Sequence, residues 1–281
     1  MVAAMAGFAL EDVLFKQLAA RLPAGQVLAV TGAAGGALFT TLASVGGRSV
    51  LTRDLLARPV LLRNLTEAMG SAVFVTALVL STLSTASAIL QATPLVVTLG
   101  AALFLGEKVG WRRWTAIGMG FVGVLLIVQP GTSAFQPASL FAVATVFLLA
   151  VRDLSSRAVP AGIASTQITA WGFFSCVPAG VLMMLVTGVQ PLMPHTMELV
   201  RFAAILTVGG IGYYSLVAAM RIGEVSAVVP FRYSRLVFAL LLGRYVFDER
   251  PDTLMLGGAA LIVGTGLYTI WRSAVRRTAS A

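Results

Sequence analysis

The chain has 281 residues, 58% of them hydrophobic and only 11% charged, with a net charge of +9, a pI near 10.8 and a mean hydropathy of +0.92. A soluble domain carries roughly 25% charged residues, so a water-facing surface cannot be built, and a soluble enzyme or a disordered chain is excluded. A spanning helix needs about 20 apolar residues. Ten such helices would use most of the chain and leave only short connections.

In chain order, apolar runs bounded by charges and turn residues predict spans over Val2–Ala20, Gln26–Val45, Asn64–Leu80, Thr82–Leu105 and Trp114–Val128. The second half gives Ala138–Ser156, Thr166–Thr187, Met197–Ala219, Val225–Phe247 and Thr253–Trp271. The fold class is therefore an all-α integral membrane protein with ten transmembrane helices. Cys176 is the single cysteine and His195 the single histidine. Intrachain disulfides and two-histidine zinc motifs are excluded, and no metal or cofactor is expected. Neither Lys16 nor Lys108 stands in a phosphate-binding Gly-Lys-Ser/Thr loop, which excludes an ATP motor. Gly118-x-Gly120-x-x-Gly123 matches a dinucleotide fingerprint literally but lies within a span, where small residues serve helix packing.

Basic residues orient the array. With both ends on one side, thirteen of the twenty Lys and Arg residues fall at that side's helix edges, from Arg48, Arg53 and Arg58 to Arg272, Arg276 and Arg277. The expected placement is a bacterial inner membrane with both termini cytoplasmic. The positive charge then reflects topology, and the expected partners are membrane lipids and a small-molecule substrate, not nucleic acid.

The run Leu105-Gly106-Glu107-Lys108 ends one apolar helix, and Phe247-Asp248-Glu249-Arg250 does the same about half a chain later. Each is followed by a glycine-rich span, with Gly118, Gly120 and Gly123 in one half and Gly257, Gly258, Gly264 and Gly266 in the other. Five helices per copy is odd, so the second copy must be inverted, and the two matching loops carry opposite charge bias. Inverted repeats mark secondary transporters. The division expected is 1–130 for helices 1–5, 137–272 for helices 6–10, and a basic cytoplasmic tail at 273–281.

Arg63 at the third helix, Pro94 in the fourth, Leu105-Gly106-Glu107, Arg112-Arg113-Trp114 and the stretch Gly118 to Pro130 form an ordered series. Ala227-Val228-Val229-Pro230-Phe231-Arg232-Tyr233, Phe247-x-Glu249-x-Pro251 and Gly258 through Gly266 continue it. This series resembles the EamA-type transporters of the drug/metabolite transporter superfamily, over nearly the whole chain. Asp248 departs from the glycine usual before the second-repeat Glu. The resemblance implies two inverted five-helix repeats around a central cavity, and small-molecule transport, commonly efflux of amino acids or metabolites. A passive channel, a structural membrane subunit, or transport of another metabolite class such as drugs or nucleoside derivatives are the alternatives. An enzyme would need a cluster of catalytic groups at one depth, and none is visible.

Ionisable residues inside spans each cost roughly 2.5–3.5 kcal/mol at a helix centre, so they single out candidate sites. Asp12 and Lys16 stand at i, i+4 on the first helix and are expected to pair with each other, in a gating or ion-pair role with Glu11 beside them. Glu67 lies one turn inside the third helix, suited to capping or to a substrate ammonium. Arg232 and Arg235 stand at i, i+3 on the ninth helix, where one face must meet water, a carboxylate such as Glu67, Asp12 or Asp153, or substrate. Tyr213, Tyr214 and Tyr233 lie centrally and Trp171 shallower, and Gln91 shares the fourth helix with Pro94. The substrate-binding set expected is Arg232, Arg235, Tyr233, Tyr213, Tyr214, Gln91, Glu67 and Trp171. Glu107 and Glu249 read as structural, compensated by an Arg or by an adjoining helix start.

Overall fold

The computed structural model describes residues 1–104, 106, 110–160, 162–222 and 229–278. Among them every regular element is helical: α1 (Val2–Ala19), α2 (Ala24–Val45), α3 (Arg58–Leu80), α4 (Leu83–Leu90), α5 (Thr93–Phe104), α6 (Trp111–Val128), α7 (Ser139–Arg157), α8 (Ser165–Thr187), α9 (Thr196–Ile222), α10 (Ser234–Phe247) and α11 (Thr253–Thr278). Short 3-10 turns at Arg53–Leu56 and Val229–Tyr233 precede α3 and α10. Five segments have the length and hydropathy to cross a bilayer outright: Ala24–Val45, Leu83–Phe104, Ser139–Arg157, Ser165–Thr187 and Thr253–Trp271.

Two predicted spans differ in form. The fourth is broken into α4 and α5, because Pro94 lacks an N–H and its ring displaces the carbonyl four residues earlier. That carbonyl, Leu90 O, accepts instead from the Thr93 hydroxyl at 2.6 Å, so the break leaves it satisfied. The ninth predicted span began at Val225. The described chain resumes as the 3-10 turn Val229–Tyr233 and becomes α-helical only at Ser234, which removes the continuous helical face assumed for Arg232 and Arg235. Residues 225–228 lie outside the described chain, as does Glu107.

Close packing is set by small residues. A Cβ on Gly32 of α2 would lie 2.8 Å from Phe173 O and 3.1 Å from Cys176 Cβ of α8. Likewise a Cβ on Gly123 of α6 would lie 2.8 Å from Gly258 O of α11. Without hydrophobic drive between helices in lipid, such backbone contact is what holds a bundle together. The extensive contacts pair α2 with α8, α6 with α11, α3 with α7 and α1 with α9, and α4 meets α10. Large apolar side chains facing away from these contacts, such as Leu185, Trp111, Trp271 and Leu65, are exposed, as a lipid-facing surface requires.

Interactions between helix ends define the two ends of the bundle. At one, called here the far end, Arg21 pairs with Glu198, Lys16 reaches Ser81 O and Gln129 Nε2 donates to Asp252 at 2.7 Å. At the other, both termini begin and finish, and the 46–57 connection is tied to α8: Trp171 Nε1 donates to Val50 O at 2.8 Å and Gln167 Nε2 to Ser49 O at 2.5 Å.

Candidate functional site

The interior charges form three separate groups. In the first, nearer the termini, Arg63 NH2 lies 3.3 Å from Glu67, and Arg152 NH1 lies 3.2 Å from the same carboxylate. Arg152 also holds Asp153 at 2.7 Å. Arg63 NH1 donates further to Ile168 O at 2.9 Å and to Asn64 Oδ1 at 3.0 Å. Glu67 is thus bracketed by two guanidiniums. The i, i+4 spacing of Arg63 and Glu67 is a sequence signal for their pair; the contribution of Arg152, 85 positions away, has none.

The second group corrects an expectation. Asp12 does not pair with Lys16. Arg235 NH2 donates to both Asp12 oxygens, at 2.9 and 2.7 Å, while its guanidinium carbon stands 5.7 Å from the centre of the Phe8 ring. An acceptor-rich carboxylate buried in α1 gains more from a planar guanidinium on an adjoining helix than from a flexible ammonium along its own surface. Glu11 is half-buried beside them, and a Cβ on Gly209 of α9 would stand 3.2 Å from its Oε2. Arg232, in the 3-10 turn, is exposed and makes no hydrogen bond or ion pair among the described residues.

Lys16 belongs to the third group, at the far end. Its Nζ donates to Ser81 O at 2.6 Å and reaches Glu249 Oε1 at 3.5 Å. The Glu249 carboxylate accepts from the N–H groups of Leu83 at 2.6 Å and Ser84 at 2.9 Å and from the Ser84 hydroxyl at 2.6 Å. It caps α4 from outside, as a carboxylate at a helix N-terminus should. The adjoining helix start expected for Glu249 is that of α4.

The remaining candidates divide. Tyr213 shares a 2.5 Å hydrogen bond with the Thr169 hydroxyl and meets Phe39 edge-on at 4.9 Å, and Phe39 stacks on Phe173 at 5.6 Å. Beside this aromatic set a cavity of about 650 Å³ opens between α2, α9 and the start of α8, lined by Leu38, Phe39, Ser165, Thr207, Gly210 and Tyr213. Trp171 is buried and bonded to the 46–57 connection. The Tyr214 side chain lies outside the described residues. Gln91 and Tyr233 are buried, and Gln91 Nε2, Tyr233 Oη, Ser87 Oγ and Arg235 Nε, like Thr52 Oγ1 and Arg63 Nε, are buried atoms without a hydrogen-bond partner among the described residues. Ser87 was not singled out from the sequence, although it precedes Gln91 by one helical turn on α4.

Known proteins place this arrangement. The model of the EamA-like transporter family matches residues 1–129 and again 136–271. A protein of Rickettsia conorii named S-adenosylmethionine uptake transporter is 25% identical over 211 residues, 75% of this chain and 71% of its own length. A riboflavin transporter of Rhizobium johnstonii is 30% identical over 217 residues, 77% of this chain and 71% of its own. A protein of known crystal structure shares the fold at a TM-score of 0.62, with 23% identity and 98% of each chain covered. The two named relatives are transporters and not enzymes, and the chain is a multi-pass membrane protein that belongs to the EamA-like transporter family.

Proposed function

We propose that the protein is a secondary transporter that moves a small polar metabolite by alternating access, its two halves forming inverted repeats about a central site. Support for the inversion comes from the pattern of packing. Exchanging helices 1–5 for helices 6–10 maps the α2–α8, α6–α11 and α4–α10 contacts onto themselves and swaps α3–α7 with α1–α9. With thirteen basic residues at the edges of the termini-side end, the positive-inside rule favours a cytoplasmic placement of both termini in a bacterial inner membrane.

The observation that carries the substrate reading is that six buried polar atoms lack partners among the described residues: Thr52 Oγ1 and Arg63 Nε, and, on α4, in its cap and at the start of α10, Ser87 Oγ, Gln91 Nε2, Tyr233 Oη and Arg235 Nε. An unsatisfied buried polar group costs about 1–3 kcal/mol, so each of these atoms is a place where a bound ligand would complete the bonding. Arg232 adds a guanidinium that makes no hydrogen bond or ion pair among the described residues, suited to a substrate carboxylate through two parallel bonds. The substrate class favoured is therefore an amino acid or a metabolite bearing an amino-acid head. Glu11, without an ion pair among the described residues, is the acceptor for its ammonium. A second reading, a ring-bearing substrate, is favoured by the Phe39–Phe173–Tyr213 set beside the 650 Å³ cavity.

Export was the direction expected from the sequence, whereas two of the relatives' names speak of uptake or of transport alone. Alternating access runs down whichever gradient exists, and we assign no fixed direction. Counterflow in liposomes holding the purified protein tests the reading. Saturable exchange of labelled for unlabelled amino acid, without ATP and unchanged by a protonophore, is the expected result. Non-saturable flux would indicate a channel.

A further inference from the structure

A second cavity, of about 490 Å³, opens at the far end between the last turns of α1, α3 and α10 and the first turns of α9, lined by Lys16, Gln17, Ala20, Val79, Arg201 and Phe247. Three cations near this end already hold carboxylates: Arg21 with Glu198, Arg244 with Asp248, and Lys16 with Glu249. Arg201 is different. It is half-buried, and its side chain makes no hydrogen bond or ion pair among the described residues. Lys16 is also incompletely used: an ammonium has three N–H donors, of which one is well spent on Ser81 O at 2.6 Å and a second reaches Glu249 only at 3.5 Å, while the Nζ stands 5.1 Å from the centre of the Phe247 ring.

The rest of the lining is mostly apolar. Ala20, Val79 and Phe247 form a wall that continues onto the exposed Leu80, Val246 and Tyr245. A ligand for this cleft must be an anion at one edge and a hydrocarbon along the other. A cleft at the ends of spanning helices also lies at headgroup depth, where bilayer lipids bring phosphate and acyl chain together. We propose that this cleft binds the phosphate of an anionic phospholipid between Arg201 and Lys16, with its first methylenes against Val79 and Phe247. A zwitterionic lipid fits less well, since its own ammonium competes with Arg201 for the phosphate. Free inorganic phosphate satisfies the cations but leaves the apolar wall in water.

Binding there has a consequence for the neighbouring group. Phosphate oxygens compete with Glu249 for Lys16 at its longest bond, while Glu249 keeps its three bonds to Leu83 and Ser84. The lipid therefore loosens α1 from the α10–α11 connection without uncapping α4.

Native mass spectrometry of the detergent-purified protein tests this with phosphatidylglycerol, phosphatidylcholine and inorganic phosphate as probes. The tightest phosphatidylglycerol adduct should bind about tenfold better than phosphatidylcholine, and Arg201→Ala should weaken it about tenfold, the loss of one charge-assisted contact. Arg201→Lys should restore most of the difference. In lipid-free detergent, Arg201→Ala should melt like the parent, since Arg201 has no partner among the described residues to lose. Equal affinity for the two lipids, or an adduct indifferent to Arg201→Ala, overturns the proposal. Displacement of the lipid by millimolar phosphate would reassign the cleft to a soluble anion.

Discussion

One nitrogen of the Arg235 guanidinium contacts both oxygens of Asp12, at 2.9 and 2.7 Å, and this bond ties α10 to α1 at a depth where neither charge can be left alone. The two arginines of the sequence Arg232-Tyr233-Ser234-Arg235 therefore hold different positions: one is committed to Asp12, and the other makes no hydrogen bond or ion pair among the described residues.

The first prediction follows from that division. Arg232→Ala should raise the KM for an amino-acid substrate about tenfold, the value of one charged hydrogen bond, with little change in melting temperature. Arg235→Ala strands a buried carboxylate and should destabilise the protein by about 3 kcal/mol. Asp12→Asn combined with Arg235→Gln should recover part of that stability. A thermal-shift series beside initial rates of counterflow separates the two. If Arg235→Ala instead melts normally and loses transport, the assignments exchange.

Gly243 offers a second test. A Cβ at this position would lie 2.6 Å from both Glu249 Oε2 and the Ser84 hydroxyl, pushing the carboxylate off the start of α4. Overpacking of this kind costs about 1–3 kcal/mol, so Gly243→Ala should melt well below the parent. Glu249→Gln, which keeps one acceptor oxygen, should cost about 2 kcal/mol. A Gly243→Ala protein as stable as the parent would show that the carboxylate is not confined.

Trp171 distinguishes scaffold from site. Trp171→Phe keeps the ring but loses the bond to Val50 O, and should cost about 1 kcal/mol while making the 46–57 connection easier to cleave by protease. Its KM should not move. A changed KM with unchanged protease resistance would instead put the indole against substrate.

Topology can be read directly. In a Cys176→Ala background, single cysteines between Asp248 and Asp252 should react with an impermeant reagent from the side opposite those in the matching loop of the first half, between Lys108 and Arg113. Labelling of both from one side would remove the inverted-repeat reading.

How much of this was legible beforehand differs by residue. The spans are written in apolar runs, whereas the fourth was read as one continuous helix: Pro94 was noted within it, but the break between α4 and α5 was not foreseen. Glu249 was read as structural because it ends a helix, with a nearby Arg or an adjoining helix start as alternatives for its compensation, and the start of α4 is the one found. The Asp12–Lys16 pair was misread, since i, i+4 spacing reports only neighbours on one helix. Their true partners, Arg235 and Glu249, are 223 and 233 positions away, and hydropathy carries no information on which helix a charged face meets. Gln91 and Tyr233 were chosen for depth and polarity, but the absence of bonding partners is visible only once neighbouring helices are in place. Ser87 is too small and too common in packed helices to attract notice by itself.

The cap on α4 also bears on synthesis. Leu83 and Ser84 wait for a carboxylate 166 and 165 residues further along, which a ribosome adding roughly 5–20 residues per second supplies on the order of ten seconds later. The Thr82 side chain covers only Thr85 N in the meantime. Bare N–H groups are not tolerated in hydrocarbon, so the first turn of α4 must stay within reach of water until Glu249 is made. The fourth span is begun in the first half of the chain and completed near the end of the second.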